Sequence, residues 1–524
     1  MALWKCPRIE PRWWVAITSS GALALCYVDQ EAVAIALPSI QRDLDATTTQ
    51  LQLIVNAYLI TLAACIALAG RAGDVFGCRR VFRLGIVTFL VGSLMCGLSP
   101  AVMDIVIGRL VQGVGAAMMV PNATAAVLAA FAPSSRGRAL SASTGVAMVF
   151  LSLGPFIGGL LTSLISWRAV FLINLPLGLA LLVVMAVTLP PESHLPAKAA
   201  ARRLDWFGQP LLVLGLGALI LGVMQTRPWG WRSPGVIALV ISGTVFLFIT
   251  VVWELRCPDP LIDLRLLAQP RFAVELTAVT VVRFAIVGFS LFSAIWIQDI
   301  LGFDPIEAGL AQLPFLLTLL VVTTLSGLLY DRVGPGRPVI VGVTATGVSL
   351  LWMAATLHHY SYPRLIAPYV LLGVGLGLAV SPAITDLLEA AAEDRRARAS
   401  GLVQTVREFG ASLAIAVMGA VVANVQIERI RQLARTGALP PGLDLGRVER
   451  DVGGAVAAPD RAGTEGFPLR QLPEIKEAVT FAVAVSYVLA GVLTLLAALL
   501  AFVPLRSVSA ARRGAAGGRH RSAK

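Results

Sequence analysis

Fourteen stretches of roughly 20 mostly apolar residues, the first over residues 13–37 and the last over 478–503, constrain this chain more than any other feature. Segments of that length can cross a bilayer as helices. They do not alternate polar and apolar residues as the strands of a membrane barrel do. Hydrophobic residues make up 57% of the 524 and charged ones 14%, a balance that leaves a soluble domain too little polar surface to face water. The expectation is an all-α integral membrane protein with 14 transmembrane helices.

The second feature is internal repetition. Residues 70–82, GRAGDVFGCRRVF, break the apolar pattern between the second and third stretches with a Gly, an Asp four on, a second Gly and paired Arg. The frame recurs 257 positions later, where Gly70, Asp74, Gly77 and Arg80 become Gly327, Asp331, Gly334 and Arg337. Two related halves follow, each of six helices, and the seventh and eighth stretches fall outside the repeat, giving 6+2+6. The expected division is 1–190 for an N-terminal bundle, 191–271 for two inserted helices with linkers, 272–503 for a C-terminal bundle and 504–524 for a basic tail. The polar run 424–476 is expected as a long outer loop.

The formal charge of +12 raises the possibility of a nucleic-acid partner, but its distribution argues otherwise. With both termini cytoplasmic, 26 Lys and Arg residues fall on that side, whereas the short outer loops hold only Arg42, Arg168, Arg227, Arg232 and Arg364. That is the positive-inside asymmetry of a multi-pass protein of the cytoplasmic (inner) membrane. The basic tail is expected to lie against anionic lipid or to be disordered. Six Cys without metal-like spacing suggest neither a disulfide framework nor a metal site, and no cofactor is expected.

Ionisable residues inside a span cost about 2.5 to 3.5 kcal/mol each and therefore need a reason. In the first span, Asp29 and Glu31 lie two residues apart, about 200° around a helix, so they face different surroundings. Either carboxyl can exchange a proton with a hydrated cavity. In the fourth span, Arg109 and Gln112 are three apart and share a face; an Arg keeps its proton, so its expected work is to pair with a carboxylate. Arg283 in the ninth span and the adjacent Arg407 and Glu408 in the thirteenth are further cavity candidates, with snorkelling near helix ends as the plain alternative. Gly154, Pro155, Gly158 and Gly159 in the fifth span allow close helix approach and a bend. The GxGxG string of the twelfth span follows no strand and is not read as a nucleotide site.

Three of these strings resemble signatures of the major facilitator superfamily: GRAGDVFGCRR its loop between spans 2 and 3, GRLVQGVGAA its span 4 arginine signature, and GPFIGG the span 5 signature associated with antiporters. The run from Asp29 to Pro38, SWRAVFLINLPLG and QDILGFDPIEAGLAQLP are similar to the fourteen-span drug:proton antiporters of the EmrB/QacA type. The resemblance implies a major facilitator fold of two pseudo-symmetric six-helix bundles. It also implies proton-driven export; the expected cargo is a small amphipathic or cationic compound and the expected functional unit a monomer.

Carried over residue by residue, the resemblance gives proton coupling to Asp29 and Arg109, with Glu31 as a possible second acid. A conformational latch falls to Gly70, Asp74, Gly77, Arg79, Arg80, Asp331 and Arg337, and an antiporter hinge to Gly154, Pro155, Gly158 and Gly159. Val75, Cys78 and Ala72 depart from the loop pattern, and Glu31 stands where a small polar residue is usual. A dedicated exporter of a lipid, siderophore or self-made antibiotic fits the same scaffold. A membrane enzyme does not: there is no Ser/His pair, HExxH or phosphate loop, and the four His fall in expected loops or the tail. A sensor that binds without transporting is the remaining rival.

Overall fold

The computed structural model describes residues 11–131, 136–188, 205, 207–226, 229–257, 260–333, 336–390, 396–436 and 473–521. All regular elements among them are helical. The helices are α1 (Pro11–Leu44), α2 (Thr48–Phe76), α3 (Cys78–Gly97), α4 (Val102–Ala130), α5 (Arg136–Leu164), α6 (Arg168–Leu172 and Asn174–Thr188), α7 (Gly208–Met224) and α8 (Pro234–Arg256). They continue as α9 (Pro270–Asp299), α10 (Pro305–Ala311 and Leu313–Val333), α11 (Gly336–Thr356), α12 (Tyr362–Ala390), α13 (Arg396–Arg435) and α14 (Pro473–Arg521). Among the described residues, thirteen helices have the length and apolarity to span a membrane; α7, at 17 residues, is the short one.

The halves repeat one packing scheme. In the first, α4 packs on α1, α2 and α3, while α1 packs on α5 and α6, and α3 on α6; in the second, α12, α9, α10, α11, α13 and α14 make the corresponding contacts. Even the helix starts repeat. Thr47 caps α2 by accepting from the Gln50 amide at 3.2 Å while the Gln50 side chain accepts from the Thr47 amide at 2.8 Å. Asp304 and Glu307, 257 positions on, form the same box at the start of α10.

The register is not uniform across the repeat. A Cβ on Gly113 of α4 would meet the Tyr58 carbonyl, Thr61 and Leu62 of α2; on Gly373 of α12 it would meet Phe315, Thr318 and Leu319 of α10. The partners are 257 apart but the glycines 260, so Arg109 corresponds to Tyr369. The three added residues fall between α11 and α12, where a 3-10 turn covers Leu357–His359.

The halves meet twice, through α2 with α13 and through α5 with α10, and α1 also touches α9. At the second junction Gly159 lies against Pro305 and Gly309 against Pro155, backbone to backbone, an approach any side chain would prevent. Helix α7 packs on both α2 and α13 and so bridges the halves.

Several expectations need correction. The connection between α2 and α3 is a single residue, Gly77, whose φ of +98° reverses the chain; Gly70 and Asp74 belong to α2 and Arg79 and Arg80 to α3. The expected loop 424–476 starts later, because α13 remains helical to Arg435, and ends at Pro473; its middle, 437–472, lies outside the described residues. The tail is not irregular to Arg521, since α14 continues through its Ala-rich sequence. Gly334 and the linker 191–204 lie outside the described residues.

Candidate functional site

Charge at mid-depth gathers in the N-terminal half around Asp29, which is wholly buried. Its Oδ2 accepts from Arg109 Nη1 at 2.5 Å; its Oδ1 accepts from Gln112 Nε2 at 3.1 Å and Asn174 Nδ2 at 2.9 Å. Arg109 Nη1 also donates to Gln112 Oε1 at 2.9 Å, and its Nε to the Ile54 carbonyl at 3.3 Å. Ser93 Oγ closes the set, accepting from Gln112 at 2.7 Å and Asn174 at 3.1 Å. The guanidinium carbon stands 4.3 Å from the centre of the Tyr58 ring.

Each part has a local cause. Arg109 and Gln112 share a face of α4, as their spacing requires. Gly92 on α3 and Gly108 on α4 let those helices close up, bringing Ser93 within reach of Gln112. The break in α6 at Ile173 places Asn174 at the head of its second segment. The network therefore spans α1, α2, α3, α4 and α6.

Its chemistry follows from charge. One carboxylate and one guanidinium balance in a site without water contact, and removing one partner of such a pair costs about 3 to 5 kcal/mol. Arg109 cannot release its proton, so the reversible event open to the pair is protonation of Asp29. That would leave a buried guanidinium short of its counter-charge, a state relieved when helices move or the site hydrates.

A second charge set lies between the halves. Glu31, turned away from Asp29 as the helical rotation requires, accepts from Ser290 Oγ of α9 at 2.9 Å. Arg283 Nη2 donates to Gln30 Oε1 at 3.2 Å and to Glu408 Oε2 at 3.1 Å, and Arg407 Nη2 holds the other Glu408 oxygen at 3.1 Å. Glu408 is thus bridged by two guanidiniums. These residues face the junction of the halves, not helix ends, which removes the snorkelling alternative. Beside them lies a cavity of about 20 Å3 lined by Gln30, Tyr58, Gln404, Arg407 and Glu408. It has room for one water and not for a drug-sized molecule. Tyr58 borders this cavity and stacks on Arg109, so one side chain touches both charge sets.

The remaining sequence candidates lie elsewhere. A Cβ on Gly154 would stand 2.8 Å from Glu31 Cβ, and one on Gly158 would stand 2.6 Å from Ala32 Cα, so both mark the contact of α5 with α1 while Gly159 serves the junction with α10. Pro155 lies inside α5. Asp74, Arg80 and Arg337 are exposed and Arg79 half-buried, all apart from the Asp29 network. Asp331 falls in α10, where its side chain lies outside the described residues. Sequence reading misses Ser93, Asn174, Tyr58, Gln30 and Ser290; only Asn174, heading the apolar run NLPLGLALLVV, carries a visible signal.

Comparison with known proteins places the fold and the family. The family model described as Major Facilitator Superfamily matches residues 20–415. The chain is 32% identical over 413 residues to the tetracenomycin C resistance and export protein of Streptomyces glaucescens, covering 79% of this chain and 76% of that one. It is 32% identical over 408 residues to the multidrug resistance protein Stp of Mycobacterium tuberculosis, covering 78% and 75%. In fold it is similar, with a TM-score of 0.61 at 18% identity over 95% of this chain and 98% of the other, to an inward-facing, unoccupied bacterial homologue of the human lysosomal transporter Spinster.

Proposed function

The chain belongs to the Major Facilitator Superfamily, and from that premise we propose that it exports small amphipathic compounds across the cytoplasmic membrane in exchange for protons, by alternating access. The observation that carries this reading is the buried Asp29–Arg109 pair, a carboxyl whose proton state decides whether a guanidinium is balanced. The names of its relatives, a resistance and export protein and a multidrug resistance protein, support the direction of transport. Both termini are cytoplasmic, the chain acts as a monomer in contact with lipid, and the fourteen-span drug:proton antiporters are its branch of the superfamily.

In this reading 1–190 and 272–503 rock against each other, with 191–271 as the inserted pair. Protonation of Asp29 releases Arg109, and Tyr58 carries the change to the junction, where Glu31, Arg283, Arg407 and Glu408 line the route of the cargo and Glu31 is a second proton carrier. Gly154, Pro155, Gly158 and Gly159 are the surfaces about which α5 pivots. Asp74, Arg79, Arg80, Asp331 and Arg337 latch one end state. A potential of 100 mV gives about 2.3 kcal/mol per proton, enough for a roughly fifty-fold gradient.

Inverted vesicles supply the test. With a panel of cationic and neutral compounds, uptake is expected to require the proton gradient and to vanish in Asp29→Asn at normal protein levels. Gradient-independent uptake, or normal exchange by that variant, overturns the reading. Transport of one compound from the panel and no other would favour a dedicated exporter of a self-made antibiotic, the role the name of the Streptomyces relative suggests.

A further inference from the structure

A third charge cluster, apart from both sets above, lies where α9 begins and α12 nears its end. Asp386 of α12 is fully buried and paired with Arg271 Nη2 of α9. Glu275, one turn along α9, is also fully buried. Arg271 Nε stands 3.7 Å from Glu275 Oε1, beyond hydrogen-bonding range, and neither Glu275 oxygen finds a donor among the described residues. Glu275 and Asp386 both lie against the Arg271 guanidinium, which makes the two carboxyls near neighbours.

The charges facing Glu275 are therefore Arg271 from its own helix and Asp386 from α12. The other elements on α9, namely α1, α10, α11, α13, α14 and the 3-10 turn Leu264–Ala268, whose Arg265 donates to the Leu255 carbonyl, give it no hydrogen bond or ion pair among the described residues. Arg271 already serves Asp386. An ionised Glu275 would thus be a buried anion with no hydrogen-bond donor among the described residues, sharing one guanidinium with a second carboxylate, an arrangement in which both acids do not ionise together. A proton on Glu275 resolves both problems, because the neutral acid becomes a donor and Asp386 is its acceptor.

We propose that Glu275 and Asp386 form a proton-binding site at this end of the C-terminal half, with the proton held on Glu275 and hydrogen-bonded to the Asp386 carboxylate that Arg271 balances. The ligand is the hydrogen ion, taken from water on the Arg271 side; that side chain is 30% exposed whereas both acids are sealed. Loss of the proton restores a like-charged pair beside one guanidinium, so release accompanies separation of α9 from α12. The site stands whether or not Asp29 proves to drive transport.

The test is infrared spectroscopy of the full-length protein in liposomes at neutral pH, reading the carbonyl stretch of protonated carboxylic acids and its shift in deuterium oxide. The wild-type spectrum minus that of Glu275→Gln is expected to contain one such band, and so is the wild-type spectrum minus that of Asp386→Asn, because with Asp386 neutral Glu275 ionises against Arg271. Asp29→Asn is expected to keep the band. An unchanged band in Glu275→Gln overturns the proposal. So does failure of Glu275→Gln to fold, since the amide reproduces the shape and neutrality of the protonated acid.

Discussion

At mid-depth, the two halves of this protein solve one packing problem in opposite ways. Arg109 occupies the place on α4 that Tyr369 occupies on α12, and Tyr58 the place of Phe315. The N-terminal half fills it with an ion pair held by Gln112, Asn174 and Ser93. The C-terminal half fills it with aromatic rings: Phe289 stands edge-on to Phe315 at 5.3 Å and Tyr369 at 5.0 Å, and Ser293 meets the Tyr369 hydroxyl at 2.5 Å. Near the start of each half the assignment reverses. Ala16, Val127 and Phe131 make an apolar contact in the first half, whereas Arg271, Glu275 and Asp386 gather in the second.

The lesson is that a duplicated frame fixes where helices touch but not what chemistry occupies the contact. Neutral aromatics pack as well as a balanced ion pair and have no proton to exchange near neutral pH. Away from the junction, where Arg283 and Glu408 meet Gln30, titratable charge therefore sits at a different level in each half.

Four substitutions in three tests, taken from the largest expected effect down, can break or sharpen that contrast. Arg109→Met strands the Asp29 carboxylate in the core and is expected to cost about 3 to 5 kcal/mol, read as lost stability in denaturant titration of the purified protein. A cost under 1 kcal/mol would mean that the pair is not the balanced unit described. Gly113→Ala and Gly373→Ala test the shared frame itself. Each Cβ would sit within 2.7 Å of a carbonyl on the neighbouring helix, so both are expected to lose about 1 to 3 kcal/mol, by similar amounts. If the melting temperature falls for one glycine and holds for the other, the equivalence of the halves fails at that contact. Tyr369→Phe removes one hydroxyl from the aromatic plug and should cost only about 1 kcal/mol while leaving gradient-driven uptake intact. Loss of uptake in that variant would give the C-terminal core a role that rings and a hydroxyl do not explain.

Much of this was readable without a fold. Apolar length reports crossings because hydrocarbon tolerates little else, and the spacing of Arg109 and Gln112 or of Asp29 and Glu31 reports shared or opposed faces because helical rotation is fixed. Glu275 and Asp386 gave no such warning, since charges near span ends are ordinary, and Ser93 and Ser290 are unremarkable in apolar runs. Their meaning depends on which helix lies opposite.

The sequence by itself determined the crossings, the duplication and the few charges that must be justified inside the bilayer, because each follows from local length, period and cost of burial. Only the tertiary structure decided that Asp29 meets Arg109, that Glu31 and Glu408 belong to the junction, and that the repeat slips by three residues between α11 and α12. Those facts rest on contacts between residues far apart in the chain, and the free energy of a buried charge is set by its neighbours in space.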